Sequence, residues 1–308
     1  MRRFRFAVHT GRLVPPDDWG AFARRVEELG YDALYLTDHL GDQLSPIAAL
    51  AAAAMATTRL RLGSYVFAND FRHPLVLARE AATIDRLSGG RLELGLGAGW
   101  MRSDYRQLGL PYDAPGRRID RLEEAIGIVR RLLSGETVTH HGPSYRLERA
   151  SVGTLPVQRP HPPLMVGGGG RRLLRLAARE AQIVALAPQM TASGRPMLRL
   201  GTDAALEERV AVVRRAAGSR FEDLELNAFV ADAAVVGGAG TVASSLTALV
   251  KAAGPALVGG SPYVLYGTVT QLREGILRRR ERTGLSAYGI PALAMEAFAP
   301  VAAQLRGR

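Results

Sequence analysis

The stretch that most constrains the fold covers residues 59–100, RLRLGSYVFANDFRHPLVLAREAATIDRLSGGRLELGLGAGW. Residues 60–67 and 91–99 are nearly continuous apolar runs. Between them Leu75, Leu77, Ala81, Ile84 and Leu87 recur at helical spacing behind Pro74, a residue suited to the first turn of a helix. Ser88, Gly89 and Gly90 end that helix. Strand, helix and strand in this order predict a parallel βαβ unit, because strands apolar on both faces belong in a sheet covered by helices.

The same pitch recurs along the chain. Residues 4–10 read as a strand, followed by a helix that Asp17 or Asp18 can cap and Gly30 closes, a strand over 31–40 and a helix over 47–57. The pattern loosens from Trp100 to Gly116, then gives a long amphipathic helix over 117–134 and a small hairpin over 136–147 around His141, Gly142 and Pro143. After the proline-rich run 156–163 the alternation resumes. Strands are predicted over 164–167, 183–187, 224–236 and 286–290, with helices over 171–179, 204–217, 241–253 and 268–282 and a closing helix from Ala292. Eight strands with helical crossovers predict a (β/α)8 TIM barrel with loop insertions, one domain over residues 1–308.

Composition narrows the chemistry. There are no cysteines, which excludes disulfides, thiolate metal sites, iron–sulfur clusters and a cysteine nucleophile. No group of carboxylates and histidines has metal-ligand spacing, so no metal site is expected. The formal net charge is +11 and Lys251 is the single lysine, so almost all the positive charge is arginine. The arginines are spread along helices rather than interleaved with aromatics, which argues against nucleic-acid recognition and suits a polyanionic cofactor. The N-terminal residues lack the apolar core of a signal peptide, since Arg5, His9 and Arg12 interrupt it. No apolar window approaches the length of a membrane span, and a cytoplasmic location is the default expectation.

A barrel of this kind binds its ligand at the carboxyl ends of its strands. Thr10 stands after the first predicted strand and Asp38 and His39 after the second. Tyr65, Val66 and Asn69 stand at the third, Gly97, Gly99 and Trp100 at the fourth, and Gln189 just beyond the sixth. The clearest local signal is Gly167, Gly168, Gly169 and Gly170, running from the fifth strand into a helix. Such a turn lets backbone approach a phosphate, and Arg171 and Arg172 could add charged contacts; a purely structural tight turn has the same pattern. It matches neither a Walker motif nor a dinucleotide fingerprint. His39 could act as a general acid or base with Asp38 positioning it or a cofactor, or it is a loop histidine beside a helix-capping Asp38. His73, His140, His141 and His161 read as structural or solvent-facing.

Taken together, GYDALYLTDHL at 30–40, RLRLGSYV at 59–66, RHP at 72–74, ATIDRLSGGRLELGLGAGW at 82–100, PPLMVGGGG at 162–170 and SPYVLYGTVTQLREGI at 261–276 resemble the bacterial luciferase-like superfamily of flavin- and deazaflavin-dependent oxidoreductases. The resemblance implies a commonly dimeric barrel holding a flavin-type ring over the strand ends, with a non-prolyl cis peptide at Tyr65-Val66 behind the ring. It implies a cofactor site made by Asp38, Tyr65, Val66, Asn69, Gly97, Gly99, the glycines 167–170 and Arg171. It also implies catalysis by His39 with Asp38, and a substrate pocket including Trp100, Thr10 and Gln189. The motifs after the second and fourth strands are similar to those of enzymes that use the 8-hydroxy-5-deazaflavin coenzyme F420, implying hydride transfer to or from a small organic substrate. In some deazaflavin-dependent sugar-phosphate dehydrogenases a glutamate stands where this chain has Trp100, with Asp104 several residues later, so oxidation of a sugar phosphate is in doubt. The alternatives are an FMN-dependent monooxygenase fed by a partner reductase and a non-catalytic flavin-binding barrel.

Overall fold

A computed structural model describes residues 2–11, 17–188, 201–236 and 261–308. In chain order, β1 (Arg5–His9) leads through α1 (Trp19–Glu28) to β2 (Ala33–Leu36), and α2 (Pro46–Ala56) to β3 (Arg61–Ser64) and its short continuation β4 (Phe67–Ala68). Then come α3 (Pro74–Leu87), β5 (Leu92–Gly97), a short α4 (Arg102–Gln107) and the long α5 (Pro115–Ser134). An antiparallel hairpin, β6 (Val138–His141) and β7 (Arg146–Ala150), precedes β8 (Leu164–Gly168), α6 (Arg171–Glu180), β9 (Ile183–Leu186) and α7 (Asp203–Ala217). The chain continues through β10 (Glu225–Phe229), β11 (Asp232–Val235), β12 (Val264–Gly267), α8 (Val269–Thr283), β13 (Ala287–Pro291) and α9 (Met295–Leu305).

The strands pair in parallel in the order β3, β2, β1, β13, β10, β9, β8, β5, and β5 pairs back to β3 with Leu62 opposite Leu92. That last pairing closes the sheet into the eight-stranded barrel, with helices outside it. Local chemistry explains where the helices begin and end. Asp18 caps α1 by accepting from the Ala21 amide. Pro46, Pro74 and Pro115 open α2, α3 and α5 where no amide hydrogen is needed. Thr268 and Gln271 form a capping box on α8. The main apolar core lies between barrel and helices and includes Phe6, Leu34, Leu62, Leu94, Val166 and Val184.

The opposite face of each strand points into the barrel, as the two-residue pleat requires. At the amino ends of the strands, Arg5 binds Glu93 at 2.7 Å and Glu225 at 2.9 Å, while Arg61 and the Tyr35 hydroxyl also bond Glu93. Burial opposes ionisation of Glu93, but Arg5, Arg61 and Tyr35 together hold its carboxyl below the ordinary range. This cluster plugs the lower end of the barrel. Above it lie Ala7, Ala33, Tyr35, Tyr65, Met165 and Ala185.

Three elements differ from the expectation. The apolar run 224–236 is not one strand: β10 belongs to the barrel, whereas β11 pairs with β12 in a separate two-stranded sheet. Both segments are buried, so apolar periodicity carries no sign of the change of sheet. The strand β12 itself was not predicted, and α4 occupies a segment in which no element was foreseen. The helix expected over 241–253 lies outside the described residues.

Candidate active site

The carboxyl ends of the barrel strands surround a cavity of about 910 Å³. Its floor is aromatic. His9 stacks on Phe229 with ring centroids 4.3 Å apart, and Tyr65 lies 5.2 Å from Phe229. His9 donates from Nε2 to the Val230 carbonyl at 2.8 Å and accepts at Nδ1 from the Gly11 amide at 3.3 Å, so both ring nitrogens are engaged. It is a fixed floor group rather than a free base.

The back wall is built around the Tyr65-Val66 peptide bond, which is cis. The Val66 side chain fits because its neighbours have none. A Cβ on Gly97 would stand 2.5 Å from a Val66 methyl, and one on Gly167 would stand 3.0 Å from the other. The glycines of β5 and β8 thus leave room for the bulge as well as for a ligand. The Tyr65 hydroxyl is tied below to Asn227.

The end of β2 carries Thr37, Asp38 and His39. Asp38 and His39 are adjacent in the chain, but their side chains bond different partners. Both Asp38 oxygens bond Arg72, at 2.6 and 2.9 Å, and Oδ2 also accepts the Ala68 amide at 3.0 Å. Asp38 lines the cavity, yet its carboxylate clasps the bulge and Arg72 and does not touch His39, contrary to the expectation from sequence. The partner of His39 is Asp104, in the first turn of α4, with Nδ1 and Oδ2 2.7 Å apart. Among the described residues no group bonds His39 Nε2. Trp100 meets the imidazole edge-on, ring centroids 5.3 Å apart at 82°.

The segment carrying Trp100 and Asp104 is held by its own side chains. The Tyr105 hydroxyl donates to Asp70 at 2.9 Å, Arg118 donates to the Gly99 carbonyl at 2.6 Å, and the Tyr112 hydroxyl donates to the Trp100 carbonyl at 2.8 Å. Burial, reinforced by Asp70, raises the Tyr105 hydroxyl well above its usual range and keeps it a donor.

The remaining wall favours negative charge. Gly167, Gly168, Gly169 and Gly170 line the cavity, and α6 starts at their end without a side-chain cap, leaving the first amides of a ten-residue helix available. A Cβ on Gly170 would meet nothing within 4 Å, so this part of the turn borders open space. Arg118 of α5 lines the same cavity, 4% exposed and 4.4 Å above the Tyr112 ring, and the start of α5 is joined to that of α6 by Arg172 and Gly116. Its Nε has no hydrogen-bond partner, and no carboxylate among the described residues forms an ion pair with it. A buried guanidinium balanced by an aromatic face, beside an uncapped helix start, is chemistry suited to a phosphate or carboxylate ligand.

The other expected contacts distribute differently. Asn69 is buried and turned to the Tyr145 hydroxyl at 2.9 Å, outside the cavity lining. Thr10 is buried with its amide on the Tyr35 carbonyl and does not line the cavity. Arg171 is exposed and off the cavity, and Arg172 turns away to Gly116 and Asp120. Gln189 lies outside the described residues. Gly97, Gly99, Trp100, Tyr65 and Val66 do line the cavity. Arg118 was missed because nothing in the sequence separates it from the other helix arginines, and Asp104 because its contact with His39 spans 65 residues. No group of three or more potential metal ligands occurs among the described residues.

Comparison with known proteins fits this architecture. The family model of luciferase-like monooxygenases matches residues 2–199. An F420-dependent glucose-6-phosphate dehydrogenase of Microbacterium testaceum is 33% identical over 190 residues, 58% of this chain and 55% of that protein. An FMNH(2)-dependent dimethylsulfone monooxygenase of Pseudomonas putida is 28% identical over 168 residues, 54% of this chain and 45% of the other. The chain thus spans about half the length of these curated relatives. Among solved structures, an F420-dependent secondary alcohol dehydrogenase in complex with an F420-acetone adduct shares the fold with a TM-score of 0.78 at 17% identity, covering 99% of this chain and 100% of that one.

Proposed function

The chain belongs to the luciferase-like monooxygenase family, and from that premise we propose that it transfers a hydride between F420 and a small organic substrate, with His39 as the acid–base group. The observation that carries this reading is that one cavity joins an imidazole with an unbonded Nε2 to a wall suited to an anion. The F420-dependent relatives named above support the same cofactor.

The residues fit such a ligand. Val66 would support the ring from behind, His9 and Phe229 would lie beneath it, and the turn 167–170 with Arg118 would take the phosphate. The deazaflavin would supply a carbon that gives or accepts a hydride and reacts poorly with oxygen. The protein would contribute alignment of donor and acceptor and a proton site at His39 Nε2. Trp100, which lines the cavity against His39, would bound the substrate. A homodimer, on the resemblance alone, and a single-domain chain in the cytoplasm, on the sequence pattern, belong to the same proposal; among the described residues no helix is long and apolar enough to cross a membrane.

The FMN-dependent relative supports a second reading, in which the same glycine turn holds the single phosphate of FMN and a partner reductase supplies electrons. Titrating the apoprotein with F420 and with FMN, and following reduced F420 against enones, imines, quinones and ketones, separates the two. Tight F420 binding with substrate-dependent oxidation is the expected result. Tight FMN binding with weak F420 binding would favour the monooxygenase. Binding without turnover, unchanged by His39→Ala, would mark a non-catalytic flavin barrel.

A further inference from the structure

We infer that Asp104 is the positioning residue of this site: it holds His39 in the tautomer whose hydrogen is on Nδ1, leaving Nε2 as a bare acceptor at the cavity. The inference rests on the preceding reading of His39 as the proton site. The Nδ1 to Oδ2 separation of 2.7 Å is that of a short, charge-assisted hydrogen bond, and a carboxylate accepts without donating. The hydrogen between them therefore belongs to the imidazole.

The surroundings show that this contact accounts for the placement of Asp104. Asp104 is 3% exposed, and burial of a carboxylate is costly without a partner. Asp38 and Asp70 each have an arginine, Arg72 and Arg121. Among the described residues no arginine or lysine forms an ion pair with Asp104, whose hydrogen-bond partner is the His39 imidazole. Its position in the first turn of α4 adds a favourable helix-end interaction but caps nothing, since the N-cap Met101 precedes it without a side-chain bond.

Asp104 is also presented rigidly. Arg118 and Tyr112 tie down the carbonyls of Gly99 and Trp100 just before it, and the Tyr105 hydroxyl just after it is tied to Asp70. Trp100 then bounds the imidazole at its edge. The one other carboxylate next to His39 in the chain, Asp38, is committed to Arg72 and the Ala68 amide. Rotation of His39 would break its bond to Asp104 and meet Trp100, so the ring has one supported orientation.

The test combines a spectroscopic and a kinetic measurement on the full chain. Nitrogen-15 spectra of imidazole-labelled protein, with His39 assigned by comparison with His39→Gln, should show protonated Nδ1 and unprotonated Nε2 in the wild type. In Asp104→Asn that signature should be lost, and the single-turnover hydride-transfer rate should fall by about 10²–10⁴-fold, the usual share of general acid–base catalysis, while F420 affinity stays within about twofold. Asp104→Glu should restore part of the rate and the Nδ1–H signature. A wild-type His39 carrying its hydrogen on Nε2, or a folded Asp104→Asn with a rate within about twofold of wild type, would overturn the inference. If the wild type turned over no substrate, the proposed function would fall, whereas the tautomer of His39 would still decide the role of Asp104.

Discussion

At the scale of single residues, the site depends on which charges are committed and which are free. Asp38 and His39 are adjacent in sequence, yet one is clasped by Arg72 and the other by Asp104. Removing the clasp has a definite cost. Arg72→Met should leave the buried Asp38 carboxylate without its counter-charge and destabilise the fold by about 3–5 kcal/mol, read as a lower midpoint in chemical denaturation. A midpoint equal to wild type would mean that Asp38 is relieved by water instead. His39 follows β2, three residues beyond its end at Leu36, but Asp38 was the partner that the sequence offered, because proximity along the chain was the available guide. Tertiary contacts decide the matter instead: Asp38 is taken by Arg72 and the Ala68 amide, while Asp104 returns to His39 from a segment 65 residues later.

At the scale of elements, the strand ends fit together by subtraction of side chains. Gly97 and Gly167 face Val66, whereas Gly170 faces open space, so equal substitutions at these positions should have unequal effects. Gly97→Ala must displace the Val66 bulge and should destabilise by about 1–3 kcal/mol and weaken cofactor binding, as measured by thermal denaturation and cofactor titration. Gly170→Ala, with an ordinary backbone conformation, should leave the melting temperature nearly unchanged. The βα alternation was legible over much of the described chain because the barrel strands are largely apolar and several helices open on a capping residue or a proline. The division of 224–236 between two sheets was not, since a buried residue looks the same in either. Nor was α4, six residues long and ordered by contacts of Tyr105 with Asp70 and Ala98 rather than by periodicity.

At the scale of the whole molecule, the barrel carries opposite chemistries at its two ends, an ion cluster below and a ligand cavity above. Glu93 is held below the ordinary carboxylate range, so its folded-state value lies under its unfolded one. Its contribution to stability is complete above about pH 4.3, the ordinary glutamate value, and is lost as pH falls through the folded value. Glu225, raised by burial against the pull of Arg5, takes up its proton first. Glu93→Gln should therefore lower stability at neutral pH and flatten its decline in acid, measured by denaturation at a series of pH values; parallel wild-type and variant curves would contradict this. The fold class was readable because eight strand-helix units are a property of the whole pattern, whereas this cluster unites Arg5, Arg61, Glu93 and Glu225 from four strands that only closure brings together. The plug also governs traffic. With the lower end filled by ionic and aromatic side chains, the cavity formed by the described residues lies at the carboxyl ends of the strands, so on the proposed reading a cofactor on the floor and a substrate above it would both be met from that end. A cofactor so placed would itself form part of the surface that a substrate meets.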